Sequence, residues 1–250
     1  MCHSDQIPPS EPENPARFHS THWSIVLAAG RPSSPQAHAA LAALCQIYWY
    51  PLYAYVRRQG HSPDDAQDLT QAFFATLLAD KITGKADRTR GKFRSFLLAS
   101  VNHFLANEWR STRAQTRGGG RVVLSLDLAA GESRYRLEPA HGASAEKIFE
   151  RRWALTLLEQ TVDRLRAEFA ARGKIDLFEH LKPYLGGDDG NMPYREIAAQ
   201  LGSTEGAVKV AVHRMRQRCR ELLRAEIEQT VSRPEDVDDE LRDLFDAVAT

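Results

Sequence analysis

Apolar residues recur at a helical period over most of this chain. In PQAHAALAALCQIYWYPLYAYVRRQG, Ala40, Leu41, Leu44, Ile47 and Tyr48 fall at helical steps, Pro51 predicts a kink or restart, and Gly60 an end. Ahead of it, HWSIVLAAG predicts a short helix beginning near Thr21. Ser62 and Pro63 suit the cap and first turn of a further helix, DDAQDLTQAFFATLLAD, whose Ala66, Leu69, Phe73 and Leu77 share a face. KFRSFLLASVNHFLANEWRS follows Gly91 and sets Phe93, Leu97, Val101, Phe104 and Leu105 on a broad core arc.

The period then fails. TRAQTRGGGRVVLSLDLAAGESRYRLEPAHGA combines a triple glycine with a short β-like VVLSLD, which reads as an interdomain linker. RGGGR lacks both a preceding strand and a following GK[ST], so it reads as a hinge and not as a phosphate loop. Helices resume at Ser144, an N-cap for AEKIFERRWALTLLEQTVDRLRAEFAARG, and continue through KIDLFEHLKPYL and a polar GGDDGNM turn.

PYREIAAQLGSTEGAVKVAVHRMRQRCREL then places two helical patterns about one glycine. Val208, Val212, Met215, Cys219 and Leu222 make a core stripe, met by Ile197, Ala198 and Leu201 of the shorter pattern, with Gly202 ending that helix and Ser203 or Thr204 capping the next. A short helix, a tight turn and a longer helix make the helix-turn-helix plan, whose second helix enters the major groove of DNA. VDDELRDLFDAVA closes the chain as an amphipathic acidic pattern with Val237, Leu241, Leu244 and Val248 on one face; packing on a domain, binding a partner and competing with DNA all fit it.

The fold expected is all-α, with two small helical domains joined by a flexible linker. Its parts are a proline-rich disordered tail over 1–20, a helical domain over 21–113, the linker over 114–143, the helix-turn-helix domain over 144–230 and an acidic helix or tail over 231–250. The 250 residues are 42% hydrophobic and 26% charged, enough to bury a core. Cys2, Cys45 and Cys219 are odd in number and far apart, which argues against a disulfide framework and a zinc site. No metal or cofactor is expected, and no paired carboxylates, nucleotide loop or nucleophile motif suggest an enzyme. The start has no signal-peptide pattern, and no segment approaches the roughly 20 apolar residues of a membrane span. A cytoplasmic protein without membrane insertion is expected.

Charge adds what the totals conceal. The 33 basic and 33 acidic residues cancel, yet Lys81 to Arg121 is strongly basic and the stretch beyond Arg224 strongly acidic. Within the helix-turn-helix, Lys209, His213, Arg216 and Arg220 step by four, three and four beside the core stripe, so they face one ligand. Thr204, Glu205 and Gly206 open the same helix, where backbone can approach a phosphate and short side chains a base edge. Arg214 and Arg218 fall on another flank. In the first domain Asp64, Asp68 and Gln71 oppose the apolar face, Asp64 and Asp65 suit a helix N-terminus, and Phe74 is either a packing residue or an interface anchor. Phe96, Ser100, His103, Asn107 and Arg110 line a flank whose mixture of ring, amide and cation suits bases exposed in a single strand.

These motifs carry a resemblance. DDAQDLTQAFFATLL looks like the core-polymerase-binding helix, FRSFLLASVNHFLANEWRSTRA like the promoter-melting helix, and YREIAAQLGSTEGAVKVAVHRMRQRCRELL like the C-terminal helix-turn-helix of bacterial RNA polymerase sigma factors of the extracytoplasmic-function type. The resemblance runs from roughly Thr21 to Ile227 and implies a non-enzymatic initiation subunit. It implies that Asp64, Asp65, Asp68, Gln71 and Phe74 meet the polymerase clamp helices, with the polymerase flap a further contact of the subunit. It places Phe96, Ser100, His103, Asn107, Arg110 and Arg113 at the downstream promoter element, and Thr204, Glu205, Lys209, His213, Arg216 and Arg220 at the upstream one. Asn107 stands where many relatives carry aspartate. Core RNA polymerase and promoter DNA are the partners implied, with an anti-sigma factor or other regulator left open. A stand-alone helix-turn-helix regulator is the alternative.

Overall fold

The computed structural model describes residues 35–79, 92–112, 128–138, 143–186, 192–231 and 233–249; the side chains of 35–43, 78–79, 109–112 and 128–130 lie outside that description. Among the described residues every regular element is helical: α1 (Pro35–Arg58), α2 (Pro63–Ala79), α3 (Phe93–Thr112), α4 (Leu128–Tyr135), α5 (Ala145–Ala171), α6 (Ile175–Leu181), α7 (Tyr194–Gln200), α8 (Glu205–Glu228) and α9 (Val237–Ala249), with 3₁₀ turns at Lys182–Tyr184 and Pro234–Asp236. The all-α expectation holds. The helix expected over HWSIVLAAG, the proline-rich start, the β-like VVLSLD and the basic residues from Lys81 to Arg90 fall outside the described residues.

Helix starts follow the capping chemistry of the sequence. Ser62 Oγ accepts from the Asp65 amide at 3.1 Å and donates to Asp65 Oδ2 at 2.7 Å, with Pro63 as the first helical residue. Ser144 accepts from the Lys147 amide at the start of α5. At Pro51 the helix does not restart, since α1 runs through it. The cost of an interior proline, about 3 kcal/mol, is met here by burial: Tyr48, Tyr50, Leu52, Tyr53, Ala54, Tyr55 and Val56 cover every side of the helix and are all buried.

Buried residues form two clusters. The first joins α1, α2 and α3 to the N-terminal half of α5, through Ile148, Phe149, Trp153, Ala154 and Leu157, and to Leu223 and Ile227 of α8 and Val237 and Leu244 of α9. The second collects Leu165 of α5, Phe178 and Leu181 of α6, Tyr184, Ile197 and Ala198 of α7, and Val208, Val212, Met215 and Leu222 of α8. Helices α5 and α8 therefore serve both cores. They are tied to each other along their polar edges by Arg164 to Glu226 at 2.5 Å and by a two-pronged pair from Arg218 to Glu168 at 2.7 and 2.9 Å.

Two further segments dock on this frame. Within the stretch read as linker, α4 is helical and docks on α1, with Gly131 where a Cβ would lie 2.9 Å from the Trp49 ring. Next to it Glu132 accepts from Tyr53 Oη at 2.7 Å and from Arg57 Nε at 3.0 Å. The acidic α9 packs on α5 and α8, burying Val237 and Leu244, so it docks on the fold as one of the three alternatives has it. Its Glu240 is 0% exposed and pairs with Arg94 and Lys92 at the start of α3. Arg94, itself buried, also reaches Glu150 at 2.7 Å and Asp243 at 3.1 Å and lies over the Trp153 ring, 4.3 Å from its centroid.

Candidate nucleic-acid interface

The helix-turn-helix is built from its turn outward. After α7, Gly202 takes φ +59°, the left-handed conformation that costs an L side chain 1–2 kcal/mol, and Ser203 N donates to Ala198 O at 2.8 Å. Thr204 is the N-cap of α8, its side chain accepting from the Ala207 amide at 3.2 Å. The turn thus ends one helix and starts the next within four residues, Leu201 to Thr204. Val208, Val212, Met215 and Leu222 are buried against α5, α6 and α7, which fixes the rotation of α8 about its axis.

That rotation leaves Thr204, Glu205, Lys209, His213 and Arg220 exposed on one side. Lys209 Nζ lies 2.7 Å from Glu205, a pair that holds the Glu205 carboxyl below its ordinary range and is open to water and to exchange for a phosphate. Arg216 differs from its neighbours: it is half-buried, and its Nε donates to the carbonyl of Tyr184 at 2.7 Å, tying α8 to the 3₁₀ turn. Arg218, on the other flank, is committed to Glu168, whose hydrogen bonds push Glu168 down and Arg218 up. Cys219 sits half-buried on the core stripe, its thiol raised by burial.

Sequence reasoning missed the centre of this face. Val210 is 49% exposed and, with Gly206 and Gln217, lies on the meridian opposite the core stripe, whereas Lys209, His213 and Arg220 lie to one side of it. The signal was present in the spacing, because Val210 is two positions from both Val208 and Val212 and so about 160° round the axis from each.

In the first half of the chain, Asp64, Asp65 and Asp68 are exposed along α2 and Gln71 is half-buried. Phe74 corrects an expectation: it is 0% exposed and packs on Phe73 with ring centroids 5.8 Å apart, so it supports α2 from beneath and presents no surface. On α3, Phe96 is half-buried beside Phe93 at 6.0 Å, Ser100 is half-buried, and His103 and Asn107 are exposed and hydrogen-bonded to each other at 3.0 Å. The Arg110 side chain and all of Arg113 lie outside the described residues. Helix α3 thus brings Phe96, Ser100, His103 and Asn107 onto one flank, on a different element from the α8 face.

Among the described residues no group of three or more metal-ligating side chains converges, and no helix is long and apolar enough to cross a membrane. No curated protein and no solved structure matches the chain. Residues 188–219, which take in α7 and α8 as far as Cys219, match the family model described as sigma-70, region 4. The capped turn, Val208, Val212 and Met215 of the buried stripe, and the exposed Lys209 and His213 thus lie in a segment similar to sigma-70, region 4, with Arg220 and Leu222 just beyond it.

Proposed function

We propose that the chain is a cytoplasmic sigma factor of the extracytoplasmic-function type, which binds core RNA polymerase and directs promoter recognition, DNA opening and initiation. The observation that carries this reading is the exposed basic side of α8, held on a helix-turn-helix within the segment similar to sigma-70, region 4. In this reading Lys209, His213 and Arg220 meet the upstream element, and the α3 flank of Phe96, Ser100, His103 and Asn107 meets the opened downstream strand. Opening a base costs a few kcal/mol, which stacking on a half-buried ring and polar contacts can return. The outer face of α2, with Asp64, Asp65 and Asp68, meets the polymerase; Phe74 holds that face in place from the core.

A stand-alone helix-turn-helix regulator would share α7 and α8 but would have no use for the acidic face of α2. Pull-down with purified core polymerase separates the two. Co-purification, followed by transcripts whose start sites share an upstream motif, supports the sigma reading; a folded chain that fails to bind core polymerase, yet holds duplex DNA alone, supports the regulator. Asp68→Arg should weaken polymerase capture at least tenfold with an unchanged melting temperature, and normal capture by that variant rejects the α2 interface.

A further inference from the structure

Val210 stands at the point of α8 farthest from the core, 49% exposed, between Lys209 and the exposed His213 and Arg214. Burial gives no reason for it. The core stripe passes through Val208 and Val212, and a β-branched residue on the wet side of a helix is a poorer helix former than alanine. One turn earlier is Gly206, where an added Cβ would meet nothing within 4 Å, so the backbone can approach a partner closely just before Val210. Two turns later the exposed Gln217 presents an amide, which donates to Glu221 at 3.2 Å. The outward meridian of α8 therefore reads gap, branched apolar group, amide, with Lys209, His213 and Arg220 to one side and Arg214 to the other.

A duplex offers a matching sequence of chemistries. Phosphates take cations and set register, an amide can pair with adenine, and the one apolar group on a base edge in the major groove is the thymine 5-methyl. We propose that Val210 is a specificity-determining residue of this chain, reading a thymine methyl in the upstream element. The inference rests on α8 being the groove helix of the proposed function.

Deoxyuridine tests it, since it removes that methyl and leaves base pairing unchanged. With the upstream duplex taken from mapped start sites, each thymine is replaced singly and binding is measured with the full chain and core polymerase. One replacement should weaken the wild type about threefold to fivefold, the worth of one buried methyl. Val210→Ala should bind the thymine and uracil forms of that site equally and melt no lower than the wild type. Selective binding indifferent to every replacement, or discrimination retained by Val210→Ala, overturns the assignment of Val210 while leaving the groove helix standing. No sequence-selective binding at all overturns both. A Val210→Ala variant that loses polymerase and keeps its thymine preference assigns the residue to a protein interface instead.

Discussion

At the scale of single residues, the cations of α8 divide into those available to a ligand and those already used by the fold. Lys209 is exposed and paired with Glu205, whereas Arg216 holds the Tyr184 carbonyl and Arg218 holds Glu168. Lys209→Ala should therefore lower DNA affinity, with the salt slope falling by about one counterion, and leave urea stability unchanged. Arg216→Ala should cost about 1 kcal/mol of stability from the lost hydrogen bond, whatever it does to DNA. Urea titrations run beside salt-dependent binding distinguish these outcomes. Spacing alone placed Lys209 and Arg216 on one side, because helical periodicity records direction and not distance to a neighbouring carbonyl. Phe74 was left between packing and interface for a related reason: hydrophobic identity does not say which way a position at the edge of a core face turns, and in the fold it is buried.

Elements were most legible where their signals are local. Ser62, Ser144, Gly202 and Thr204 cap or end helices as their types imply, because a cap needs only a few consecutive residues. Helix α4, eight residues long, was too short to show a period, and its docking depends on Trp49 and Arg57, far away in sequence. The sequence pattern left open what the basic start of α3 and the acidic α9 meet; in the fold Arg94 and Glu240, 146 positions apart, neutralise each other out of water. Arg94→Met should cost about 3–5 kcal/mol by leaving Glu240 buried without its main partner, and Arg94→Met with Glu240→Leu should recover most of that. Denaturant midpoints of the single and double variants check this; an additive loss would contradict it. Truncation after Thr230 removes Glu240 and Asp243 and leaves Arg94 with Glu150 alone of these carboxylates, so any change it makes in DNA binding must be read beside a folding measurement.

The whole molecule inherits a pH dependence from these pairs. Hydrogen bonds from Arg57 to Glu132 and from Arg218 to Glu168 hold both carboxyls below the ordinary glutamate value of 4.5. Their contribution to stability is complete above about pH 4.5 and is lost as pH falls through the lower folded values. Burial pushes Glu150 the other way, so its protonation partly offsets that loss. Glu132→Gln and Glu168→Gln should each flatten the fall in denaturant midpoint below about pH 4.5, and an unchanged acid limb would exclude these pairs as its cause. The sharing of α5 and α8 between the two cores reaches further. Helix α5 is 27 residues of unbroken ladder, about 40 Å, with Trp153 seated in one core and Leu165 in the other. Neither core can melt without fraying a helix the other needs, so free energy supplied by a ligand at either end is drawn on by both. A duplex gripped by α8 would make the tyrosines around Pro51 of α1 slower to exchange their amide hydrogens, with no contact between them.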